Sequence, residues 1–205
     1  ESDCSLHLHS YSTEDTPPPY STSNAVGFIV GIGNLGKELK YTAEELNTYL
    51  SRDGGLNWIE LKKGPYMVKF GDHDSIIIAA PLFKPTRTIQ YSLIRVKLGT
   101  HQYSQIQQSI LTTSLLNLDQ SQQNFNHGHY ANTESRKGVI ISLDLAQLGI
   151  RSCQGASTPE DPKSDYEYWT PYDGRHSTEK CFLGKFVQYV RRKQTAICLN
   201  GEDHE

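Results

Sequence analysis

Short runs of apolar residues recur through the first 92 residues, with turn-forming residues between them at intervals of about ten residues. In the range 5–10, Leu6 and Leu8 alternate with polar residues, and this period of two places both leucines on one face of a strand. Short strands at this spacing predict an all-β sandwich, barrel or propeller. The other predicted strands are 26–30, 48–50, 58–61, 67–70, 75–80 and 88–92.

Two stretches between these runs are predicted to lack regular structure. The connection 13–24 contains Pro17, Pro18 and Pro19, which exclude both a helix and ladder hydrogen bonds, so we predict a loop. The glycine-rich run 31–36 predicts a series of turns.

The range 94–136 differs in kind, because it is dense in glutamine, asparagine, serine and threonine. Its apolar positions, between residues 106 and 116, fit helical spacing better than alternation, yet no helix cap frames them. We interpret this range as a low-complexity insertion.

Strand-like order returns at 138–145, and the remainder is rich in loops, with one basic strand-like run at 185–193. The change in character predicts two units. Residues 1–150 form the strand-rich unit, and residues 151–205 form a small module that contains three of the cysteines.

Charge and hydropathy argue against two classes of function. The 205 residues carry 20 Lys plus Arg against 23 Asp plus Glu, a net charge of −3, whereas a dedicated binder of nucleic acid or anionic membranes carries a basic excess. The longest apolar run, 76–83, has eight residues, and a membrane helix needs at least about 18. No charged-then-apolar leader follows Glu1, so we expect an interior piece of a longer protein.

Cys4, Cys153, Cys181 and Cys198 are too far apart in sequence for a Cys-x-x-Cys zinc or redox motif. The last three lie within one segment of 46 residues, which is poor in aliphatic side chains. Small extracellular modules of that kind rely on disulfides, so we infer an oxidising compartment. The alternative is four unrelated buried thiols in a cytosolic protein.

The most specific local pattern lies at residues 51–58, with the sequence Ser-Arg-Asp-Gly-Gly-Leu-Asn-Trp. It matches the Asp-box, Ser-x-Asp-x-Gly-x-x-Trp, which sits on a β-hairpin of a propeller blade. We expect Ser51 and Asp53 to satisfy backbone donors in the turn. Gly55 would supply a positive φ, and Trp58 would insert into the blade core. The box is structural rather than catalytic; a chance Asp-Gly hairpin is the alternative.

Further motifs stand in order on both sides of the range 94–136, and together they resemble the sortilin family, the vacuolar protein sorting receptors. The resemblance covers about residues 4–92 and 138–205. The motifs before the break lie at 4–9, 24–27, 33–36, 48–55, 63–66 and 70–73, and those after it lie at 165–171, 181–184, 191–193 and 198–203.

The resemblance implies a large ten-bladed luminal propeller, two small disulfide-bonded modules, a membrane helix and a cytosolic tail. This chain would hold the last blades of that propeller and the start of the ten-cysteine module. Because one blade takes on the order of 50 residues, about 150 residues supply two or three blades and leave open strand edges.

The resemblance also implies how the cysteines pair. Cys153 would bond to Cys198 within the module, whereas Cys4 and Cys181 would each pair with a cysteine outside this chain. One departure stands out: the family continues into a second Asp-box after residue 92, but here Leu93-Ile94-Arg95-Val96 follows. That segment is either a differently completed blade, an insertion or a mis-joined reading frame.

Three further groups of residues are candidates for a site. His7 and His9 share a strand face, but no third ligand stands at metal-binding spacing, so we expect no metal. His73, between two aspartates, is a candidate for pH sensing or else a solvated loop residue. The basic run of Lys185 and residues 191–193 is either a docking patch for acidic cargo or solvated module surface.

The function implied by the resemblance is binding of soluble protein or peptide cargo by a type I sorting receptor, without cofactors or catalysis. Such a receptor carries its cargo between the Golgi, endosomes and the cell surface. Two alternatives remain: a sialidase-like glycosidase, since Asp-boxes also occur there, and a secreted adhesion propeller. A glycosidase needs a pair of carboxyl groups and sialic acid recognition needs clustered arginines, and no motif here resembles such a site.

Overall fold

Every regular element in the described part of the chain is a β-strand, as the sequence predicts. The computed structural model describes residues 4–11, 16–73, 75–82, 88–92, 99–102, 111–116, 124–131, 137–144, 149–171 and 184–200. Within these ranges no helix has the length and apolar character needed to cross a membrane. The strands are β1 (Ser5–Leu8), β2 (Ile29–Gly36), β3 (Asn47–Ser51), β4 (Ile59–Lys63), β5 (Tyr66–Gly71), β6 (Ile76–Pro81), β7 (Thr88–Ser92), β8 (Gly99–Gln102), β9 (Leu111–Leu116), β10 (Asn124–Ala131), β11 (Lys137–Asp144), β12 (Tyr166–Trp169) and β13 (Tyr189–Arg192).

Two four-stranded antiparallel sheets form the first half of the chain. Their strand orders are β1-β2-β3-β4 and β5-β6-β7-β8, so each strand pairs with its neighbour in sequence, as in a propeller blade. Among the strands of these two sheets, the first and last of each pair on one side only. These open edges are expected of blades outside a closed ring, and the fold is therefore a partial propeller.

The main apolar core lies between the two blades and contains side chains from both. Phe70 of β5 is 1% exposed. Its ring packs edge to face on Phe28 at 5.6 Å between centroids and stacks on Tyr20 at 5.5 Å. Each such buried side chain contributes about 2 kcal/mol to folding. The cluster consists of Ala25, Phe28, Val30, Leu50, Leu61, Val68, Phe70, Ile77 and Ala79.

The prediction of turns at 31–36 is wrong, because these residues form most of β2. Their glycines serve close strand packing instead of chain reversal. A Cβ atom at Gly33 would lie 1.9 Å from the backbone oxygen of His7 on β1. Glycine at this position therefore lets β1 and β2 approach each other, which the local sequence does not reveal.

The helical spacing seen between residues 106 and 116 is also misleading, since Leu111–Leu116 forms β9. Strand β9 pairs with β10, and β10 pairs with β11, in a three-stranded antiparallel sheet. The range 94–136 thus contains strands β8, β9 and β10. The threonines of β9 favour extended backbone. The unit limits at 150 and 151 stay predictions, and the position of the missing second Asp-box, 93–98, lies outside the described residues.

The module after residue 149 is built around a two-stranded sheet. Strands β12 and β13 are antiparallel, with Glu167 opposite Arg191 and Trp169 opposite Tyr189. The predicted basic strand at 185–193 is shorter in the structure, Tyr189–Arg192. The interior of the module consists of Cys153, Tyr166, Ala196 and Cys198, with Ala156 and Val190 packed against it.

Candidate functional site

The Asp-box forms the connection between β3 and β4. Ser51 is fully buried, and its Oγ accepts hydrogen bonds from the amides of Gly55 at 2.8 Å and Asp53 at 3.4 Å. The same hydroxyl donates to Asp53 Oδ1 at 2.8 Å. Gly54 and Gly55 have φ values of 71° and 91°, a conformation that side chains other than glycine rarely adopt. One hydroxyl therefore holds the turn at three points.

The carboxylate of Asp53 closes the other side of the turn. Asn57 donates its amide to Oδ1 at 2.9 Å and its side-chain nitrogen to Oδ2 at 2.7 Å. Burial alone would raise the pKa of Asp53, but the hydrogen bonds from Asn57, Ser51 and Leu56 outweigh it and lower the pKa. Both carboxylate oxygens are engaged, so this aspartate holds structure rather than offering a free base.

Trp58 does not insert into the blade core as the sequence predicts. It is half-buried, and its Nε1 donates to the carbonyl oxygen of Gly55 at 3.0 Å. The indole thus folds back over its own turn. The core position beside the hairpin is filled instead by Leu50 and Leu61, which precede and follow the box.

A disulfide joins Cys153 to Cys198, with the Cα atoms 4.9 Å apart, and this is the pair that the resemblance implies. Backbone bonds flank it: Cys153 donates to Leu199 at 2.7 Å, and Leu199 donates to Arg151 at 2.9 Å. The bond closes a loop with a sequence separation of 45 residues, which stabilises the module by about 4 kcal/mol in the chain-entropy model.

The module contacts the Asp-box through Arg191 of β13. Its guanidinium donates to the carbonyl oxygen of Arg52 at 2.8 Å, across 139 positions of sequence. It also donates to Glu167 at 3.0 Å and lies 4.8 Å from the ring centre of Trp169. Trp169 in turn packs against Gly27, where an added Cβ would lie 3.1 Å from the indole. Arg191 therefore connects β12, β13 and the Asp-box turn.

A second contact joins the module to the turn between β5 and β6. Asp72 is fully buried, and its Oδ2 accepts the amide of Asn200 at 2.6 Å. The hydroxyl of Tyr166 donates to the side-chain oxygen of Asn200. Leu199, which precedes Asn200 in the chain, completes an apolar cluster with Ile76, Ile78 and Ala80 of the second blade. The module thus supplies a side chain to the blade core.

His73 lies in this same turn. Asp72 and His73 have φ values of 50° and 51°, and aspartate and histidine are among the residues that tolerate this region. His73 is half-buried, with Nδ1 inside the protein. It is therefore not a fully solvated loop residue, and its neighbour Asp72 is the residue that binds the module.

Three residues of the basic run are engaged inside the protein, which argues against a docking patch for acidic cargo. Besides Arg191, the guanidinium of Arg192 is buried and donates to the carbonyl oxygens of Ala196 and Cys198, each at 3.2 Å. Lys193 Nζ donates to the carbonyl oxygen of Ser164 at 2.6 Å. These cations hold the loops of the module together.

The two histidines near the start of the chain bond to backbone oxygens. His7 Nε2 lies 3.0 Å from the oxygen of Gly36, and His9 Nε2 lies 2.9 Å from that of Lys40. Within the described residues, one group of potential metal ligands lies close together, Cys153, Asp165 and Cys198. Two of its three members form the disulfide, so this group is not a metal site.

Comparison with known proteins gives two family matches in sequence order. Residues 1–94 match the family described as sortilin, neurotensin receptor 3, and residues 117–205 match its C-terminal counterpart. The chain belongs to the sortilin family. The two matches fall on the blades and on the disulfide module, and the second begins within the range interpreted as an insertion.

Curated members of the sortilin family align over nearly the whole chain. The vacuolar protein sorting/targeting protein 10 of Uncinocarpus reesii is 33% identical over 209 residues, which cover 99% of this chain and 14% of the relative. The proteins of the same name from Neosartorya fischeri and Coccidioides posadasii are both 32% identical, over 96% and 99% of this chain. The chain spans about one seventh of the length of these sortilin relatives.

The remaining cysteines of this sortilin chain stand apart from the disulfide. Cys4 is exposed and free in the structure, and Cys181 lies outside the described residues. Their pairing with cysteines elsewhere in a longer protein stays a prediction.

Four residues that join module and blades lie within the motifs that carry the resemblance, but sequence reasoning does not assign them this role: Asp72, Trp169, Arg191 and Asn200. Their partners lie as far as 128 and 139 positions away, so no local pattern points to them. One signal was present for Arg191, because a cation next to an aromatic strand can stack on a ring. Nothing in the sequence indicates which carbonyl oxygen Arg191 reaches.

Proposed function

We propose that this chain is part of the luminal, ligand-binding region of a sorting receptor that spans a membrane once. The observation that carries the proposal is the order of its parts: Asp-box blades followed by a disulfide module, each matching its own sortilin model. The names of the relatives, vacuolar protein sorting/targeting protein 10, support the same function. A disulfide is in keeping with a luminal or extracellular compartment.

In this function the protein binds soluble cargo, such as hydrolases or peptides, and carries it between the Golgi, endosomes and the cell surface. Binding needs no cofactor and no covalent step. Its other partners are the remaining blades and modules of the receptor, and the membrane helix belongs to those parts. Cys4 and Cys181 form disulfides with them.

The Asp-box does not supply the catalytic groups that the alternative, a propeller glycosidase, needs. A glycosidase needs two carboxyl groups that face the substrate. The carboxylate of Asp53 is instead occupied on both oxygens by Asn57, and the hydroxyl of Ser51 is buried. The box thus supports the blade and leaves no group for chemistry.

A chimera tests the receptor function. Residues 1–205 of this chain replace the aligned segment of the Uncinocarpus reesii relative in a fungal strain that lacks its own copy. We expect the chimera to retain a soluble vacuolar hydrolase in the cell, whereas the strain without it secretes the enzyme. A matched chimera with Cys153→Ser and Cys198→Ser lacks the module disulfide and should lose retention. Secretion equal to that of the empty strain from a chimera present at normal abundance would refute the proposal.

We further infer that His73 contributes to pH sensing. Imidazole groups change charge between pH 5 and 8, and here one lies beside the Asp72 to Asn200 contact that joins module and blade. A proton on His73 would change the electrostatics of that junction in acidic endosomes. The contribution of His73 is tested by measuring how much cargo the full-length receptor releases at pH 5 compared with pH 7. An unchanged pH dependence in the His73→Ala receptor would exclude it.

A further inference from the structure

A cleft of about 330 Å³ opens between the two blades, beside the proline-rich loop. Its floor consists of β2 residues Val30 and Ile32 and β5 residue Val68, all of which are buried. Its walls are the exposed Pro18 and Pro19 and the half-buried Pro17, Tyr20, Tyr66, Met67 and Lys69.

The walls of the cleft have the character of a ligand site. The volume lies at the lower end of the range of ligand pockets, which are mostly apolar with a few placed polar groups. The prolines and the rings of Tyr20 and Tyr66 form flat surfaces suited to an aromatic or branched side chain. Met67 adds a flexible thioether that adapts to different shapes.

Among the described residues that line the cleft, Lys69 alone carries a charge. Its Nζ lies 4.1 Å from the centre of the Tyr20 ring, and no carboxylate of the described residues forms an ion pair with it. Burial lowers the pKa of Lys69, because the charged form loses water. An anion bound beside the ammonium would restore the lost electrostatic stabilisation.

We propose that this cleft binds a peptide segment in which a carboxylate side chain stands next to a bulky apolar side chain. The apolar side chain packs on Val30, Ile32 and Val68, and the carboxylate pairs with Lys69 at the rim. This inference rests on the proposed cargo-binding function and gives the chemistry of the peptide that one part of it recognises.

The probe is the blocked peptide acetyl-Gly-Glu-Phe-Gly-amide, titrated into the 205-residue chain by calorimetry. One comparison peptide has glutamine in place of the glutamate, and another has alanine in place of the phenylalanine. We expect each change to weaken binding about tenfold, as loss of one charged or apolar contact does. Equal dissociation constants for the glutamate and glutamine peptides would overturn the proposal.

The variant Lys69→Met keeps the aliphatic stem and removes the charge. We expect it to bind the glutamate peptide about tenfold more weakly, with no further loss for the glutamine peptide, because both changes delete the same pair. Lys62→Met is the matched control: Lys62 is also half-buried, lies on β4 and does not line the cleft. Equal weakening by Lys62→Met and Lys69→Met would contradict the assignment.

Three further measurements test the site, and the last of them separates the site from the receptor function. The ¹³Cε resonance of Lys69 in the unmodified chain should shift on addition of the glutamate peptide, and an unmoved resonance would refute the site without any variant. Octanoate binding that exceeds peptide binding would assign the cleft to a fatty acid and overturn the proposal. In the hydrolase assay, normal retention by the Lys69→Met chimera would reject this site while the receptor function stands.

Discussion

At the scale of single residues, Ser51 and Asp53 show how a short motif encodes its own turn. The amides of Gly55 and Asn57 each find a side-chain oxygen four positions away, on Ser51 and on Asp53 respectively. Because these partners are local in sequence, the hairpin position was predictable from residues 51–58. The place of Trp58 was not, since it depends on which side chains already fill the blade.

Ser51→Ala should lower the free energy of unfolding by about 2 kcal/mol, because the amides of Gly55 and Asp53 lose the buried hydroxyl that accepts their hydrogen bonds. Urea denaturation measures this. Ser23→Ala is the control, since Ser23 is exposed and bonds only to its neighbour Asn24 among the contacts shown. It should change stability by no more than about 0.5 kcal/mol. Equal losses in the two variants would mean that the Asp-box hydroxyl has no special role.

Asp165 predicts a pH dependence of stability. The Arg151 guanidinium, at 2.7 Å from each carboxylate oxygen, lowers the pKa of Asp165 below its unfolded value. The contribution of this group is fully present above the unfolded pKa of about 3.9 and is lost as the pH falls through the lower folded pKa. Asp165→Asn should therefore flatten the decline of stability below about pH 4.

Urea midpoints between pH 6 and pH 3 check this expectation. Glu160→Gln, which neutralises an exposed carboxylate of the same module, should keep the decline of the unaltered chain. A decline equally steep in the Asp165→Asn variant would contradict the assignment to Asp165.

At the scale of elements, short apolar runs predict these strands, but the prediction fails where glycine is decisive. The run 67–70 lies within β5, and the run 75–80 overlaps β6, which begins at Ile76, since short apolar runs are typical of buried strands. The sequence predicts turns at residues 31–36 because glycine is a local turn signal. Its actual role, the approach of His7 to Gly33, is tertiary and therefore invisible in a local pattern. Strand β9 was missed for the same reason, because its pairing with β10 decides its conformation.

Gly33→Ala should destabilise the first blade by about 3 kcal/mol, because its Cβ would meet the backbone oxygen of His7, which cannot rotate away. Gly31→Ala on the same strand is the control. Its Cβ would meet only the side chain of Leu8, at 3.2 Å, and a flexible side chain can adjust. Thermal unfolding followed by circular dichroism compares the two, and a larger loss for Gly31→Ala would refute this packing.

At the scale of the whole molecule, the module and the blades form one connected structure. Arg191 reaches the Asp-box turn, Asn200 reaches the second blade, and Leu199 enters its core. The boundary at residue 150 stays a prediction. The contacts themselves could not be predicted from the sequence, because they depend on how the chain returns to the blades after more than a hundred residues.

Arg191→Met should raise the hydrogen exchange rates of the Gly54 amide and of strand β13 about tenfold, through loss of a charged hydrogen bond. Arg191→Lys keeps the charge but lacks the planar fork that reaches both Arg52 and Glu167, so it should rescue little. Exchange measured by mass spectrometry decides between these outcomes. Full protection in both variants would show that the module is held to the Asp-box without Arg191.

The position of Leu199 in the core of the second blade also determines when that core can be completed during synthesis of the chain. Leu199 follows Ile78 by 121 residues, so at ordinary rates of translation the blade waits roughly 6 to 24 s for its last core side chain. During that interval Ile76, Ile78 and Ala80 lack the side chain of Leu199 on the nascent chain. Binding of a chaperone to β6 should therefore begin early in synthesis and end only when residue 199 arrives.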